Sequence, residues 1–243
     1  MRGVILAGGL GSRLLPLTKV TNKHLLPVYH KPMIYYPIET LVEAGVKELM
    51  IVTGGNSAGD FLKLIGNGRS MGLDHVSFAY QEGEGGIADA LRLARHFANG
   101  QKMVVMLGDN IIGSSIRGAV QKFEKQKAGA RVLLKKVPDP ERFGVAELKG
   151  NRIVSIEEKP KKPKSHYAIT GIYMYDEQVF EIISDLKPSR RGEFEITDVN
   201  NWYLKKGLLE YDMLQGFWSD AGTFESLTHS AKLIRAQETR RKK

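Results

Sequence analysis

Apolar residues along the chain fall in short blocks closed by glycine-rich turns. Gly3–Leu6 leads into Ala7-Gly8-Gly9-Leu10-Gly11-Ser12-Arg13, the pattern of a strand ending in a glycine turn. Val46–Thr53 alternates and ends at Gly54-Gly55, Val76–Tyr80 runs into Gln81 and the turn Gly83–Gly86, and Met103–Leu107 is wholly apolar, as in a strand covered on both faces. Ala130–Val137 supplies a fifth strand. Between the strands the spacing turns helical. Ile34, Ile38, Leu41 and Val42 follow Pro32 and stop at Gly45, with Pro37 as an expected bend; Asp60–Ile65 is short; Ile87, Ala90, Leu91 and Ala94 form one stripe before Asn99-Gly100; Ile116, Val120 and Phe123 form the next. Five strands alternating with helices predict parallel βαβ units in a doubly wound, mostly parallel, Rossmann-like α/β sheet.

From Pro138 the texture changes. Val145–Leu148, Ile153–Glu157 and Tyr167–Tyr175 are separated by turns such as Lys149-Gly150-Asn151-Arg152, which predicts a small antiparallel subsheet. Helices are expected over Glu177–Ile183, Thr197–Lys205 and Thr223 to about Gln237, with a strand near Leu208–Leu214. The expected organisation is a single domain, 1–243, with a first half, 1–137, and a second, 138–243.

Composition narrows the chemistry. The chain has no cysteine, so disulfides, thiolate nucleophiles and Cys-ligated zinc are out of play. His24, His30, His75, His96, His166 and His229 lack the i, i+4 spacing of a helical metal site and read as structural or surface groups. The net charge of +9 is spread along the chain; its densest runs, Lys159–Lys164 and Arg240–Lys243, are not interleaved with aromatics, so small anionic substrates explain it better than nucleic acid. No apolar stretch approaches the roughly 20 residues of a membrane span, and no signal peptide is evident, so a cytoplasmic location is expected.

The glycine turn after the first strand carries the most specific chemistry. Three glycines among residues 8–11 leave backbone N–H groups open to an anion, Ser12 adds a hydroxyl, and Arg13 and Lys23 add cations. The turn fits neither G-x-x-x-x-G-K-[ST] nor G-x-G-x-x-G, and no acidic residue lies about 20 positions on to hold a ribose. A plain strand-to-helix turn and a polyphosphate cradle both fit. Asp109, after Met103–Leu107, and Asp220, in Phe217-Trp218-Ser219-Asp220-Ala221-Gly222-Thr223, each precede a turn or helix. Each either caps that turn or helix or, if the two aspartates meet, forms part of an oxygen site for Mg²⁺. Only one of Glu157 and Glu158 can face inward from a strand, and Arg190-Arg191 reads as a surface turn.

Taken together, Leu6-Ala7-Gly8-Gly9-x-Gly11-Ser12-Arg13-Leu14, Asn22-Lys23-His24-Leu25-Leu26-Pro27-Val28, Lys31-Pro32-Met33-Ile34-Tyr35-Tyr36-Pro37, Leu107-Gly108-Asp109-Asn110, Glu157-Glu158-Lys159-Pro160 and Glu195-Ile196-Thr197-Asp198-Val199-Asn200 resemble the sugar-1-phosphate nucleotidylyltransferases. The resemblance runs from residue 3 to about residue 235 and is nearest the thymidylyl-transferring branch. It implies attack of a sugar-1-phosphate oxygen on the α-phosphorus of a nucleoside triphosphate, with dTTP, glucose 1-phosphate and Mg²⁺ as expected partners. By the same resemblance Gly8, Gly9, Gly11, Ser12, Arg13 and Lys23 hold the triphosphate, and Gln81 and Gly86 read the pyrimidine. Asp109 and Asp220 bind metal; Asn110, Gly144, Glu158 and Ile169 line the sugar pocket; Lys159 and Arg191 hold the sugar phosphate. The catalytic set would be Arg13, Lys23, Asp109 and Lys159. Ser12, His24 and Phe143 stand where relatives often have Thr, Gln and Tyr. Long members carry further C-terminal helices that help form a regulatory nucleotide site, which a chain ending at Lys243 is not expected to have. A uridylyltransferase, a non-catalytic nucleotide-sugar-binding module and a homo-oligomer stay open.

Overall fold

The computed structural model describes residues 1–241; Lys242 and Lys243, the end of the terminal basic run, lie outside the described residues. In chain order the first half comprises β1 (Arg2–Ala7), the two-residue strands β2 (Pro27–Val28) and β3 (Lys31–Pro32), α1 (Tyr35–Glu43), β4 (Glu48–Gly54), α2 (Ala58–Ile65), β5 (His75–Gln81), α3 (Ile87–Arg92), α4 (Arg95–Ala98), β6 (Met103–Leu107), β7 (Asn110–Ile112), α5 (Arg117–Lys125) and β8 (Ala130–Lys136). The second half adds β9 (Gly144–Lys149), β10 (Arg152–Glu158), β11 (Tyr167–Tyr175), α6 (Val179–Asp185), α7 (Ile196–Lys205), β12 (Leu209–Met213), β13 (Trp218–Asp220) and α8 (Phe224–Arg241).

β5, β4, β1 and β6 form the parallel ladders expected of βαβ units. The fifth expected parallel strand is displaced. β8 runs in the same direction as β6, but antiparallel β11 lies between them and bonds to both. The cause is local: the chain leaves β8, forms the β9–β10 hairpin and returns as β11, which can pair directly with the strand it runs against. The small antiparallel group of β9, β10 and β11 is therefore continuous with the main sheet. β11 takes β9 on the edge that also pairs with β6, and β12 extends the sheet beyond β8 in parallel, giving nine strands among the described residues.

Successive side chains of a strand point to opposite faces, and the two cores obey that alternation. Val4, Leu6, Met103, Val105, Tyr173 and Tyr175 pack under α3, α4, α6 and α7, whereas Ile5, Ala7, Val104, Met106, Ile172 and Met174 pack under α1, α2 and α5. Two details depart from expectation. Val46–Thr53 does not have one wet face, because β4 is buried on both sides from Leu49 onward. The helix expected from the stripe of Ile87, Ala90, Leu91 and Ala94 divides into α3 and α4 at Leu93-Ala94, where the Leu93 and Ala94 amides bond three residues back and tighten the turn. Pro32 lies in β3, and α1 starts at Tyr35, so Pro37 falls in the first turn, where a missing N–H costs no helical bond.

A third, smaller cluster joins Val28, Met33, Tyr36, Ile111, Ala221 and Ile234, and so docks α8 against β2 and the β7–β13 ribbon. No described helix is long and apolar enough to cross a membrane. At the carboxyl end of β4, Gly54 passes so close to its neighbours that a Cβ there would lie 2.7 Å from the Gly8 carbonyl oxygen and 3.2 Å from that of Gln81. Its φ of −158° is open to any residue, so space alone requires glycine. Gly54→Ala should destabilise the fold by about 1–3 kcal/mol; an unchanged urea midpoint would contradict this packing.

Candidate active site

The site is built on the carboxyl ends of β1, β5 and β6. After Ala7 the chain enters Gly8–Gly11, and Gly11 adopts a left-handed φ of 68° that a side chain would resist. The carbonyl of Gly11 accepts from Thr18 Oγ1 at 2.8 Å, which closes the loop on itself. Ser12 and Arg13 are exposed on the adjoining short 3₁₀ turn. Lys23 starts another such turn, capped by Asn22, whose Oδ1 accepts from the His24 amide at 2.9 Å while its Nδ2 donates to the Ala7 carbonyl at 3.2 Å. Asn22 thus ties the lysine turn to the end of β1. The lysine stem runs along Gly11, where a Cβ would lie 3.0 Å from Lys23 Cβ, and near Gly9, where one would lie 3.9 Å from Lys23 Cε.

Lys23 Nζ reaches Asp109 Oδ2 at 2.6 Å, and Asn110 Nδ2 donates to the other oxygen, Oδ1, at 3.0 Å. Burial pushes the Asp109 carboxyl up, but the charge of Lys23 and these two hydrogen bonds outweigh it and hold the group well below the usual carboxylate range. His24, buried behind the pair, is pushed down to about 3 by burial and by Lys23, and so is neutral. Because Asn22 Oδ1 already accepts from the backbone, His24 Nδ1 at 2.7 Å is its second donor. The ring fills the space beside Gly108, where a Cβ would lie 2.7 Å from His24 Cδ2.

Asp220 arrives through β13, which pairs antiparallel with β7 so that Asp220 faces Asn110 in register, and the Ala221 amide donates to the Asp109 carbonyl at 2.9 Å. Burial first, and then the charge of Asp109, raise the Asp220 carboxyl; Arg142, 3.0 and 3.2 Å from its two oxygens, pulls the other way. Gly222 completes the corner: a Cβ there would lie 3.1 Å from Arg13 Nη2 and 3.8 Å from Asp109 Oδ2. Arg13, Lys23, Asp109 and Asp220 therefore share one pocket wall.

The other expected residues fall into two groups. Gln81, 7% exposed, ends β5 with its Oε1 2.6 Å from where a Gly8 Cβ would be, and its Nε2 donates to the Gly86 carbonyl at 3.1 Å and Asp89 Oδ2 at 2.9 Å. Gly86 has φ 94° and sits against Glu193-Phe194, and the Phe194 amide donates to the Gly85 carbonyl at 2.8 Å. On the far side, Glu158 Oε2 accepts from Thr197 Oγ1 at 2.5 Å, while Lys159 Nζ and Arg191 Nη2 lie 3.9 and 3.8 Å from its Oε1. Gly144 fits beneath: its Cβ would lie 3.3 Å from Glu158 Oε2, 3.2 Å from Thr197 Oγ1 and 4.0 Å from Ile169 Cβ. Glu157 points to solvent. Asn110 is 1% exposed and its Oδ1 accepts from the Gly171 amide at 3.1 Å and Trp218 Nε1 at 2.6 Å. Buried Tyr173 spans the halves: its phenol is pushed up by burial, then by the charges of Glu158 and Asp109.

Several participants escaped the sequence reading. Arg142 lies in Asp139-Pro140-Glu141-Arg142 with no periodic signal, and Asp89 looks like an ordinary acid in a helix's first turn. Asn22 had a findable signature, a polar cap before a turn, once the turn was known. Phe143, which stands where relatives often have Tyr, packs its ring on Trp218 with the ring centroids 4.9 Å apart.

A glycine cradle, paired aspartates and flanking cations at the strand ends fit the handling of phosphate esters. Residues 2–237 match the family described as nucleotidyl transferase, and the chain belongs to it. It is 44% identical over 238 residues to the glucose-1-phosphate thymidylyltransferase of Neisseria meningitidis, covering 96% of this chain and 82% of that relative. It is likewise 44% identical over 240 residues to that of an Actinoplanes species, covering 97% and 78%. Among solved structures it is similar to a Bacillus anthracis protein provisionally assigned as a glucose-1-phosphate thymidylyltransferase, in complex with sucrose, at 53% identity and TM-score 0.93 over 97% of this chain and 95% of that one. A UDP-glucose pyrophosphorylase complexed with UDP-glucose shares the fold at TM-score 0.85 and 24% identity, over 97% and 98%.

The two aspartates act on folding with opposite sign. Asp109's folded pKa is depressed, so the stability its charge supplies is complete above about pH 4 and is lost as pH falls through the folded value. Asp220's is raised, so its contribution is complete below about pH 4 and is lost as pH rises through the folded value. At pH 7, Asp109→Asn should cost about 3 kcal/mol by leaving Lys23 unpaired, whereas Asp220→Asn should raise the melting temperature. Thermal melts of both variants check the signs, and a fall in the second contradicts the assignment.

Proposed function

We propose that this chain transfers a thymidylyl group from dTTP to glucose 1-phosphate, giving dTDP-glucose and pyrophosphate. The observation that carries the reading is the Lys23–Asp109 pair set against the glycine turn at the ends of β1 and β6, in a chain 44% identical to glucose-1-phosphate thymidylyltransferases. On this reading the backbone N–H groups of Gly8, Gly9 and Gly11, with Ser12, Arg13 and Lys23, hold the triphosphate, and Gln81 and Gly86 hold the base. Gly144, Glu158 and Ile169 form the sugar pocket, with Asn110 fixing the wall behind it, and Lys159 and Arg191 hold the sugar phosphate.

The attacking group is an ionised phosphate oxygen, so no general base is required. Its bond to the α-phosphorus forms as the bond from that phosphorus to the β-phosphate oxygen breaks, and the electron pair leaves with pyrophosphate. Alignment of the two phosphates and cations placed where charge grows then supply the rate. Lys159 and Arg191 orient the nucleophile; Arg13 and Lys23 receive the charge of the leaving group.

Asp109 and Asp220 fit a Mg²⁺ site. They are hard oxygen donors, Asp109 in the turn that precedes β7 and Asp220 at the end of β13, which pairs with β7; burial and then the charge of Asp109 raise the Asp220 carboxyl, so a cation is favoured beside the two. Mg²⁺ takes one or two carboxylates and fills its shell from substrate phosphates and water, so two aspartates are a sufficient share for the protein to supply. When bound, Mg²⁺ would neutralise phosphate charge at the α-phosphorus.

Incubation with glucose 1-phosphate, Mg²⁺ and either dTTP or UTP, read as pyrophosphate release, tests the proposal. Brisk release with dTTP is expected; release with UTP and none with dTTP overturns it. Asp109→Asn should lower turnover by on the order of 10²-fold in a protein that still folds by circular dichroism, and full activity in that variant removes Asp109 from the reaction.

A further inference from the structure

Gln81 carries an amide, which can offer a base either an acceptor or a donor, and the structure contains a device that chooses between them. Two acceptors face one end of the side chain, Asp89 Oδ2 at 2.9 Å and the Gly86 carbonyl at 3.1 Å. Neither has a hydrogen to give, so that end is the NH₂ group, and both of its hydrogens are used there. Oε1 is left at the other end, facing Gly8. Asp89 is itself fixed. Its side chain is 12% exposed, and its Oδ1 takes a 2.6 Å ion pair from Arg92 Nη2. Gly85 leaves room for it: a Cβ on Gly85 would lie 2.5 Å from Asp89 Oδ2 and 2.6 Å from its Cγ. Gly85 is not among the glycines with positive φ, so this glycine is needed for space.

We propose that Asp89, acting through Gln81, is a specificity-determining positioning residue: it locks the amide so that the site presents only an acceptor to the base, which favours a ring N–H, as in thymine or uracil, over the bare ring nitrogen of cytosine. The inference rests on the proposed reading of Gln81 as the base-contacting group. Removing Asp89 leaves one neutral carbonyl, that of Gly86, to hold the NH₂ end. The amide can then turn and donate to cytosine.

The experiment measures kcat/KM for dTTP and dCTP with glucose 1-phosphate in the wild type, Asp89→Ala and Asp89→Asn. The wild type should prefer dTTP. In Asp89→Ala the dTTP to dCTP ratio should fall about tenfold, the scale of losing a hydrogen bond to a charged acceptor, with the dCTP value rising in absolute terms. Asp89→Asn, which keeps the shape but turns an obligate acceptor into a group that can also donate, should move the ratio the same way and less far. A wild type that prefers dCTP, a proportional loss of both activities, or ratios unchanged in both variants overturns the proposal. Gln81→Leu separates the two levels of inference. If it leaves KM for dTTP unchanged, the base-reading role of Gln81 fails; if it raises that KM while the Asp89 variants keep the wild-type ratio, only the role of Asp89 fails.

Discussion

The site depends on one interaction, the ion pair between Lys23 and Asp109, which joins loops that leave two adjacent parallel strands. An ion pair with this little solvent gains slight net stability, because desolvating both charges costs nearly what their attraction returns. Its value is positional. The lysine is held by a turn that Asn22 pins to Ala7, and the aspartate by Asn110, which the Gly171 amide and the Trp218 indole hold in turn. The pair therefore fixes the distance between the glycine turn of β1 and the end of β6. β13 is registered against that end, so the same pair also sets where Asp220 stands.

Close approach explains glycines that backbone conformation does not. A Cβ on Gly171 would lie 2.6 Å from Asn110 Nδ2, and one on Gly108 would strike the His24 ring. Neither residue has a positive φ. Each is small so that a polar group can be buried beside it with its hydrogen bonds intact, as buried polar groups require. Asn110 can then orient Asp109, and His24 can stay neutral behind Lys23 without adding charge to the pocket.

The parallel half of the sheet was legible because its signals are local. An apolar run ending in glycine marks a strand end, and helical spacing between such runs marks a crossover. The position of β8 was not legible, because inserting β11 is a pairing decision between residues far apart in the chain, as in Tyr175 with Ala130; strand order leaves no trace in periodicity. The same limit applied to the site. Asp109 and Asp220 stood out individually as acids at the ends of apolar runs, but their adjacency depends on the three-residue ribbon of β7 and β13, too short to show an alternating pattern. Arg142 and Asp89 were invisible for a related reason, since each is an ordinary surface residue type whose importance lies in its partner.

Most cations of the site are paired within the protein. Lys23 is held by Asp109, Arg142 by Asp220 and Asp139, Arg191 by Glu195, and Lys159 leans toward Glu158. Such pairing offsets the repulsion that several cations gathered in one cleft would otherwise exert on one another. It also changes what binding means. On the proposed function, an incoming phosphate would compete with carboxylates for donors already aimed into the cleft. Binding is then an exchange of partners that involves little new ordering of side chains. This preserves the preorganisation that electrostatic catalysis requires and limits how tightly the ground state is held. On the proposed function, the grip on phosphate would be strongest where its charge exceeds that of the displaced carboxylate, which for the leaving group is as the bond to the α-phosphorus breaks.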